Sequence, residues 1–308
     1  MICVDNIGRI ISAPTIKFNI PKRKIFMQIE RNAFIGCDCE YETAKTVIFG
    51  APFDSTTSYR PGTRFGSKAI RSESFGIETY SPYQDKDLLD YNIFDAGDPE
   101  LCIGNVDTAL AQIEELTAEI LADGKRPFML GGEHSVTLGA VTAVYNKYKD
   151  LYIIQFDAHA DLRDDYLGVK KSHACVMRRC HEMVGDGHIY QFGIRSGERE
   201  EFRFAAEHTK MNKFNLNGIE KAVEELKGKN VYLTIDMDVM DPSIFPGTGT
   251  PEAGGVQFME LLEAVLKLKG LNIVGADINE LSPQYDPSGV STAVACKLLR
   301  ELLLMLED

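Results

Sequence analysis

The chain reads as an α/β protein with three layers, helices covering both faces of a central, mostly parallel sheet. Two observations predict this. From residue 46 to the C-terminus, short apolar, β-branched runs alternate with longer stretches of helical periodicity, the pattern of a parallel sheet joined by crossover helices. Two of the runs, 151–156 and 231–235, end in clusters of carboxylates. In open parallel sheets, ligands sit beyond the carboxyl ends of the strands. With 308 residues, 44% of them apolar, and no linker or repeat to divide it, the chain predicts one domain. Residues 1–45 would be its N-terminal arm and 46–308 its main body.

The elements follow in order. Thr46–Gly50 is β-branched and apolar and predicts a first strand. A Pro- and Gly-rich loop leads to a short helix over 67–74. Over 106–121, Val106, Leu110, Ile113, Ile120 and Leu121 fall on one helical face, and Gly124 ends the helix. A buried strand at 128–130 runs into Gly131-Gly132-Glu133-His134-Ser135, with a helix over 136–149. Strand Leu151–Phe156 carries Asp157, His159 and Asp161. His173 and Cys175 open a helix reaching about residue 183, and Ile189–Ile194 is the next strand. A helix over 218–227 precedes strand 231–235 with Asp236 and Asp238. A helix over 258–269 ends at Gly270, strand 271–276 delivers Asp277 and Glu280, and a last helix spans 289–306.

Composition narrows the function. The net charge of −13 and the lack of a basic patch beyond the run at 21–24 argue against nucleic-acid binding. No apolar stretch reaches 18 residues, and the N-terminus does not resemble a signal peptide. Seven scattered cysteines in a long chain favour reduced thiols and a cytoplasmic home.

The acidic clusters carry the chemistry. Buried carboxylates are costly, and crowded ones raise each other's pKa. Asp157, His159 and Asp161 stand at i, i+2 and i+4, and Asp236 and Asp238 repeat the i, i+2 spacing, so alternate side chains of an extended segment point one way. His134 can join them from a third strand end. Any one of these motifs alone is ordinary: an Asp-x-His is commonly a solvated loop pair, and an Asp-x-Asp a helix cap. Together they aim four carboxylates and two imidazoles at one volume. One divalent ion cannot use six such ligands and leave room for substrate; two ions can. The oxygen-rich donor set suits Mn²⁺, and such a pair lowers the pKa of a water towards neutrality. His181, His188 and His208 read as ordinary surface or packing residues.

These motifs, with Ser172-His173-Ala174 and Asp236-Met237-Asp238-Val239-Met240-Asp241-Pro242-Ser243, resemble the ordered signatures of the ureohydrolase family, which comprises arginase, agmatinase and relatives. The segments 52–55, 192–197 and 247–252 are most similar to the agmatinase branch. The resemblance implies an arginase-like fold, with one Mn²⁺ on His134, Asp157, Asp161 and Asp236 and another on Asp157, His159, Asp236 and Asp238. It also implies a trimer or hexamer. The sequence departs from the family's common pattern at Glu133, where many members have Asp, and at Ala253, where many agmatinases have Pro; neither is a ligand position.

The expected reaction is hydrolysis of a small cationic guanidino compound. Asp161 would pass a proton to the leaving nitrogen, Glu280 would hold the guanidinium through paired hydrogen bonds, and His173 would move protons to solvent. The arginase pattern that grips an α-carboxylate is absent between Asp161 and His173, so agmatine, yielding putrescine and urea, fits best. Arg163 leaves room for a guanidino acid, making guanidinobutyrase or arginase activity the alternative. A non-catalytic relative is disfavoured by the intact ligand set, and a deacetylase-like enzyme with a single zinc by the number of carboxylates.

Overall fold

The computed structural model describes residues 33–307. Most of the expected N-terminal arm, including the basic run at 21–24, lies outside the described residues. Residues 33–45 join the folded unit: the Phe34 N–H donates to Asp95 Oδ2 at 2.8 Å, and Asp38 bridges to Phe94.

The strands are β1 (Thr46–Gly50), β2 (Tyr80–Ser81), β3 (Lys86–Asp87), β4 (Ile93–Asp95), β5 (Arg126–Leu130), β6 (Leu151–Phe156), β7 (Ile189–Ile194), β8 (Lys210–Lys213), β9 (Asn230–Asp236) and β10 (Asn272–Asn279). The helices are α1 (Gly66–Glu73), α2 (Val106–Ala122), α3 (Thr137–Lys147), α4 (Val176–Val184), α5 (Arg199–His208), α6 (Ile219–Leu226), α7 (Phe258–Leu266) and α8 (Val290–Leu306). Eight strands form one sheet in the order β4-β1-β5-β10-β9-β6-β7-β8, and every pairing in it is parallel. Among the described residues only β2 and β3 stand apart, as an antiparallel pair.

Alternate strand residues feed two apolar layers. Ile48, Phe128, Ile154 and Leu233 face the layer built with α6, α7 and α8. Val47, Met129, Ile153 and Tyr232 face the layer built with α2, α3 and α4. Period-2 alternation buried on both sides is what a central parallel sheet requires.

The expected three-layer architecture is therefore observed, with four additions. Strand β4 has three residues, too few for a periodicity to show. Strand β8 is Lys-Met-Asn-Lys at the sheet edge, where lysines are common because they deter pairing with another chain. Helix α5 buries only Glu201 and Ala205, so it lacks the apolar stripe by which helices are read. The β2–β3 hairpin was likewise not expected. One expectation is corrected: β10 continues to Asn279, so Asp277 lies inside the strand and not at its end.

Candidate metal centre and substrate cavity

Sheet register assembles the site. Leu130, Ile278, Ile235 and Phe156 lie in one row across β5, β10, β9 and β6, and Phe192 of β7 extends it. The residues just past that row carry the polar chemistry. His134 follows β5 on a short 3₁₀ turn, Asp157 follows β6, Asp236 ends β9, and Glu280 follows β10. His134 Nδ1 lies 3.0 Å from Asp157 Oδ2, 3.0 Å from Asp161 Oδ2 and 3.5 Å from Asp236 Oδ2. His159 Nδ1 lies 3.0 Å from Asp238 Oδ2 and 3.7 Å from Asp157 Oδ1. Two ligand-like groups result, His134–Asp157–Asp236 and Asp157–His159–Asp238, sharing Asp157.

A buried polar layer beneath holds these side chains. His134 Nε2 pairs with Thr234 Oγ1 at 2.9 Å, which fixes the ring and leaves Nδ1 facing the carboxylates. Gln155 Nε2 donates to Asp157 Oδ2 at 2.7 Å, and Gln191 Nε2 donates to Gln155 Oε1 at 2.7 Å. Asp277 accepts from Thr137 Oγ1 at 2.9 Å and from Tyr232 OH at 2.7 Å. It is thus a structural acceptor one layer below the site. Arg195 donates to the carbonyls of Asp238 at 2.7 Å, Val239 at 3.1 Å and Glu252 at 2.8 Å, tying the loop after β9 to β7. The double glycine has a packing cause: a Cβ on Gly132 would collide with the Phe53 carbonyl, and one on Gly131 with the Asn279 amide.

Asp161 and Glu280 both adopt left-handed backbone, with φ of 54° and 67°, a conformation costly for side chains other than glycine and concentrated at functional sites. Their surroundings hold them there. The Asp161 carbonyl accepts the N–H groups of Met177 and Arg178 at the start of α4, at 3.0 and 3.2 Å. The Glu280 N–H donates to Gly132 O at 2.9 Å, and its Oε1 accepts the His134 N–H at 2.6 Å.

The electrostatics call for cations. Burial and the neighbouring Asp157 push the Asp161 carboxyl up to about 7. Burial with Asp238 and Asp157 carries Asp236 well above the carboxylate range. Burial, then Glu133, does the same to Glu280. Burial would raise Asp238 too, but the His159 imidazole outweighs it and holds the group at about 2. Burial opposes charge on His159, yet Asp238 and Asp157 bring it to about 10. His134 Nδ1 is buried and has no hydrogen-bond partner despite the three carboxylates around it. A buried orphan nitrogen facing carboxylate oxygens, with four carboxylates in reach, fits divalent metal.

Beside this cluster opens a cavity of about 230 Å³ whose lining includes His159, Asp161, Tyr166, His173, Glu198 and Glu280. His173 stands at its wall, with its N–H donating to Thr56 Oγ1 at 3.1 Å and Nε2 3.4 Å from Ser58 Oγ. Burial, then the His159 charge, lowers the His173 imidazole to about 4. Arg163 also lines the cavity, but its guanidinium is engaged by Glu198 at 3.0 Å and Glu201 at 3.4 Å and lies over the Tyr166 ring at 4.4 Å. A larger groove of about 630 Å³ along β8, lined by Tyr190, Lys210 and Lys213 among others, contains no such carboxylate–imidazole cluster.

Three residues were not singled out from the sequence as functional. Glu133 is buried and accepts from Thr56, Thr57 and Ser135, so it anchors the loop that receives the His173 N–H. Thr234 and Arg195 act as described above. Glu133, inside a glycine-flanked motif, and Arg195, within segment 192–197, carried a local signal in the sequence, whereas Thr234 carried none. His181 and His208, expected to be ordinary, are instead drawn together by Asp186.

With this geometry in view, comparison with known proteins is decisive. The arginase family model matches residues 44–305. The chain belongs to the arginase family of ureohydrolases. Within the family, it is 47% identical to the agmatinase of Bacillus subtilis over 275 residues, covering 88% of this chain and 95% of that protein. A solved structure from Clostridium difficile is 54% identical, with a TM-score of 0.86 over 87% of this chain and 99% of that one. The agmatine ureohydrolase structure of Thermoplasma volcanium is 38% identical, with a TM-score of 0.83 over 91% of this chain and 96% of that one. The arginase-family fold thus accounts for the sheet order, and the cavity lies where the expected motifs converge.

Proposed function

We propose that this arginase-family enzyme hydrolyses agmatine to putrescine and urea at a centre for two Mn²⁺ ions. His134, Asp157, Asp161 and Asp236 would hold one ion, and Asp157, His159, Asp236 and Asp238 the other. When bound, such a pair would supply the lowered pKa that lets water act as a nucleophile near neutral pH. Four carboxylates match the charge of two divalent ions.

The chain's own residues orient the rest. Oε1 of Glu280 is already engaged by the His134 N–H, so the carboxylate is fixed to receive guanidinium N–H groups, which are matched to carboxylate geometry. Asp161, at the cavity floor, passes the nucleophile's proton to the leaving nitrogen as the carbon–nitrogen bond breaks. His173, in the cavity wall, takes up and returns protons between the site and solvent. Water and a doubly charged agmatine become urea and a doubly charged putrescine, so no net proton is released. Arg163 serves in the cavity wall beside the substrate chain.

The observation that carries the choice of agmatine is the state of Arg163. Paired with Glu198 and Glu201, it offers no unopposed charge for a substrate carboxylate, while the surrounding acids favour a second ammonium. The name of the Bacillus subtilis relative supports the same substrate. We further take residues 46–308 as the catalytic domain of a cytoplasmic trimer or hexamer serving polyamine biosynthesis. Free cysteines throughout the described residues support a reducing compartment, and no helix among those residues is long and apolar enough to cross a membrane.

The deciding measurement is urea release by Mn²⁺-loaded protein given agmatine, arginine or 4-guanidinobutyrate. Turnover confined to agmatine is expected. A preference for arginine would refute the reading of the cavity mouth but keep the chemistry. Unchanged turnover in Asp161→Asn or His159→Ala would refute the metal-centred mechanism.

A further inference from the structure

Two histidines and a carboxylate converge outside the buried centre. His181 Nε2 lies 2.8 Å from Asp186 Oδ1, and His208 Nδ1 lies 2.7 Å from the same oxygen. The three donor atoms all fall within 4.8 Å of one another. They come from separate places: the last turn of α4, the turn after it, and the end of α5. Gly185 and Gly187, with φ of 84° and 73°, flank Asp186 and let the chain fold back. The Gly187 N–H then donates to His208 O at 2.8 Å. Both imidazoles pack on Phe204, with ring centroids 4.9 and 4.2 Å away, and Phe204 is capped by the Arg178 guanidinium at 3.7 Å. The side chains of His181 and His208 are 14% and 30% exposed and that of Asp186 is 69% exposed, so the rings are held while the carboxylate meets solvent.

As an ion-pair cluster this arrangement contributes little, because exposed pairs are weak and two donors here compete for one oxygen. As a ligand set it is complete. Two imidazoles and a carboxylate bind a transition ion and leave coordination positions to water. We propose that His181, Asp186 and His208 form a further divalent-cation site, selective for an imidazole-preferring ion of the Zn²⁺ class. Its donors are mainly nitrogen, whereas the buried centre is mainly carboxylate oxygen. To bind, each imidazole presents a lone pair at the nitrogen now facing Asp186; its proton moves to the other ring nitrogen or, from a charged ring, to solvent.

The site joins the C-terminal ends of two helices whose N-terminal ends support the reaction cavity. Helix α4 begins with the N–H groups bound to Asp161 O. Near the start of α5, Glu201 accepts the Leu162 N–H at 2.9 Å. An ion at the far ends braces both helices against each other.

The test uses the full chain loaded with Mn²⁺, titrated with Zn²⁺ by calorimetry, with both metals counted by mass spectrometry. Wild type is expected to take up one Zn²⁺ per chain beyond its Mn²⁺, which stays bound, and to gain thermal stability. Asp186→Ala with His208→Ala should weaken that uptake by at least about tenfold and abolish the stabilisation. Asp186→Asn, which preserves size and an acceptor oxygen, should weaken it less. Near-ultraviolet circular dichroism without Zn²⁺ verifies that the variants are folded. Equal uptake by folded variants and wild type overturns the proposal. So does no uptake by wild type, or uptake matched by loss of Mn²⁺.

Discussion

The His134 main-chain N–H donates to Glu280 Oε1 at 2.6 Å. One bond therefore couples the segment bearing the first imidazole to the carboxylate we propose as the substrate's acceptor. Glu280 keeps left-handed backbone to make it, and its neighbour Gly132 accepts the Glu280 N–H from the same segment. In Glu280→Gln the side chain retains an acceptor for His134 but loses its charge. A charge-assisted bond to substrate is worth about 1.5–3 kcal/mol, so kcat/KM for agmatine should fall roughly 10–100-fold with bound Mn²⁺ unchanged. Steady-state urea release and metal analysis check both parts.

Glu133 is the buried anchor of the loop at Thr56 and Thr57, and Thr56 receives the His173 N–H. Glu133→Ala removes the acceptor of the buried Ser135 hydroxyl and of the half-buried Thr56 and Thr57 donors. The cost of an unsatisfied buried group is about 1–3 kcal/mol, and the destabilisation should reach at least the upper part of that range. Urea unfolding of the Mn²⁺-loaded protein measures it. A loss below about 0.5 kcal/mol, the usual size of a surface change, would show that the loop does not depend on Glu133.

Removing metal should leave a protein whose stability falls as pH rises. Burial and Asp157 raise Asp161 to about 7 in the folded, metal-free chain, against about 3.9 unfolded. The folded state therefore holds the extra proton between those values, and its stabilisation is present below the lower value and lost as pH passes the upper one. His159, burial opposing but Asp238 prevailing, reaches about 10 and extends the same trend from about 6.5 upward. Each group adds a slope of up to about 1.4 kcal/mol per pH unit within its window. His173, lowered to about 4 by burial and His159, opposes the trend below about 6.5. Melting temperatures of chelated protein should drop between pH 7 and 9, and those of Mn²⁺-loaded protein should not. A flat profile without metal would contradict these electrostatics.

The parts of the site that could be read from sequence were those where an apolar strand runs directly into charge. Asp157, His159, Asp161, Asp236 and Asp238 met that condition, and the parallel register brings the two strand ends together, but Asp238 sits on a 3₁₀ turn and Asp161 in left-handed backbone, not in the extended alternation expected. What escaped depended on partners distant in sequence. Arg195 acts through three carbonyls of other loops, and Thr234 is one polar position in an apolar strand. Helix α5 buries Glu201 where a readable helix would show an apolar stripe. Asp277 was misplaced because β10 runs on past it, and polar residues inside a strand look like its end. His181 and His208 lie 27 residues apart, and only the turn around Asp186 joins them.

Substrate choice should respond to Glu198. Its carboxylate sits 3.0 Å from the Arg163 guanidinium and is 61% exposed, whereas Glu201, also facing Arg163, is buried and holds the Leu162 N–H. Glu198→Gln removes one of two charges opposing Arg163 without touching the buried one. A carboxylate-bearing guanidine such as 4-guanidinobutyrate then meets a partly unopposed cation, and the distal ammonium of agmatine loses an attractive neighbour. Exposed charge pairs are worth up to about 1 kcal/mol, so the ratio of kcat/KM for guanidinobutyrate over agmatine should rise by a factor of up to about five. The gain should appear mainly in KM, since Glu198 lies at the mouth and not beside the reacting carbon. Added salt should shrink it, as screening weakens exposed charges. An unchanged ratio would mean that substrate chains do not pass close to Arg163, and that discrimination against carboxylates arises elsewhere on the cavity wall.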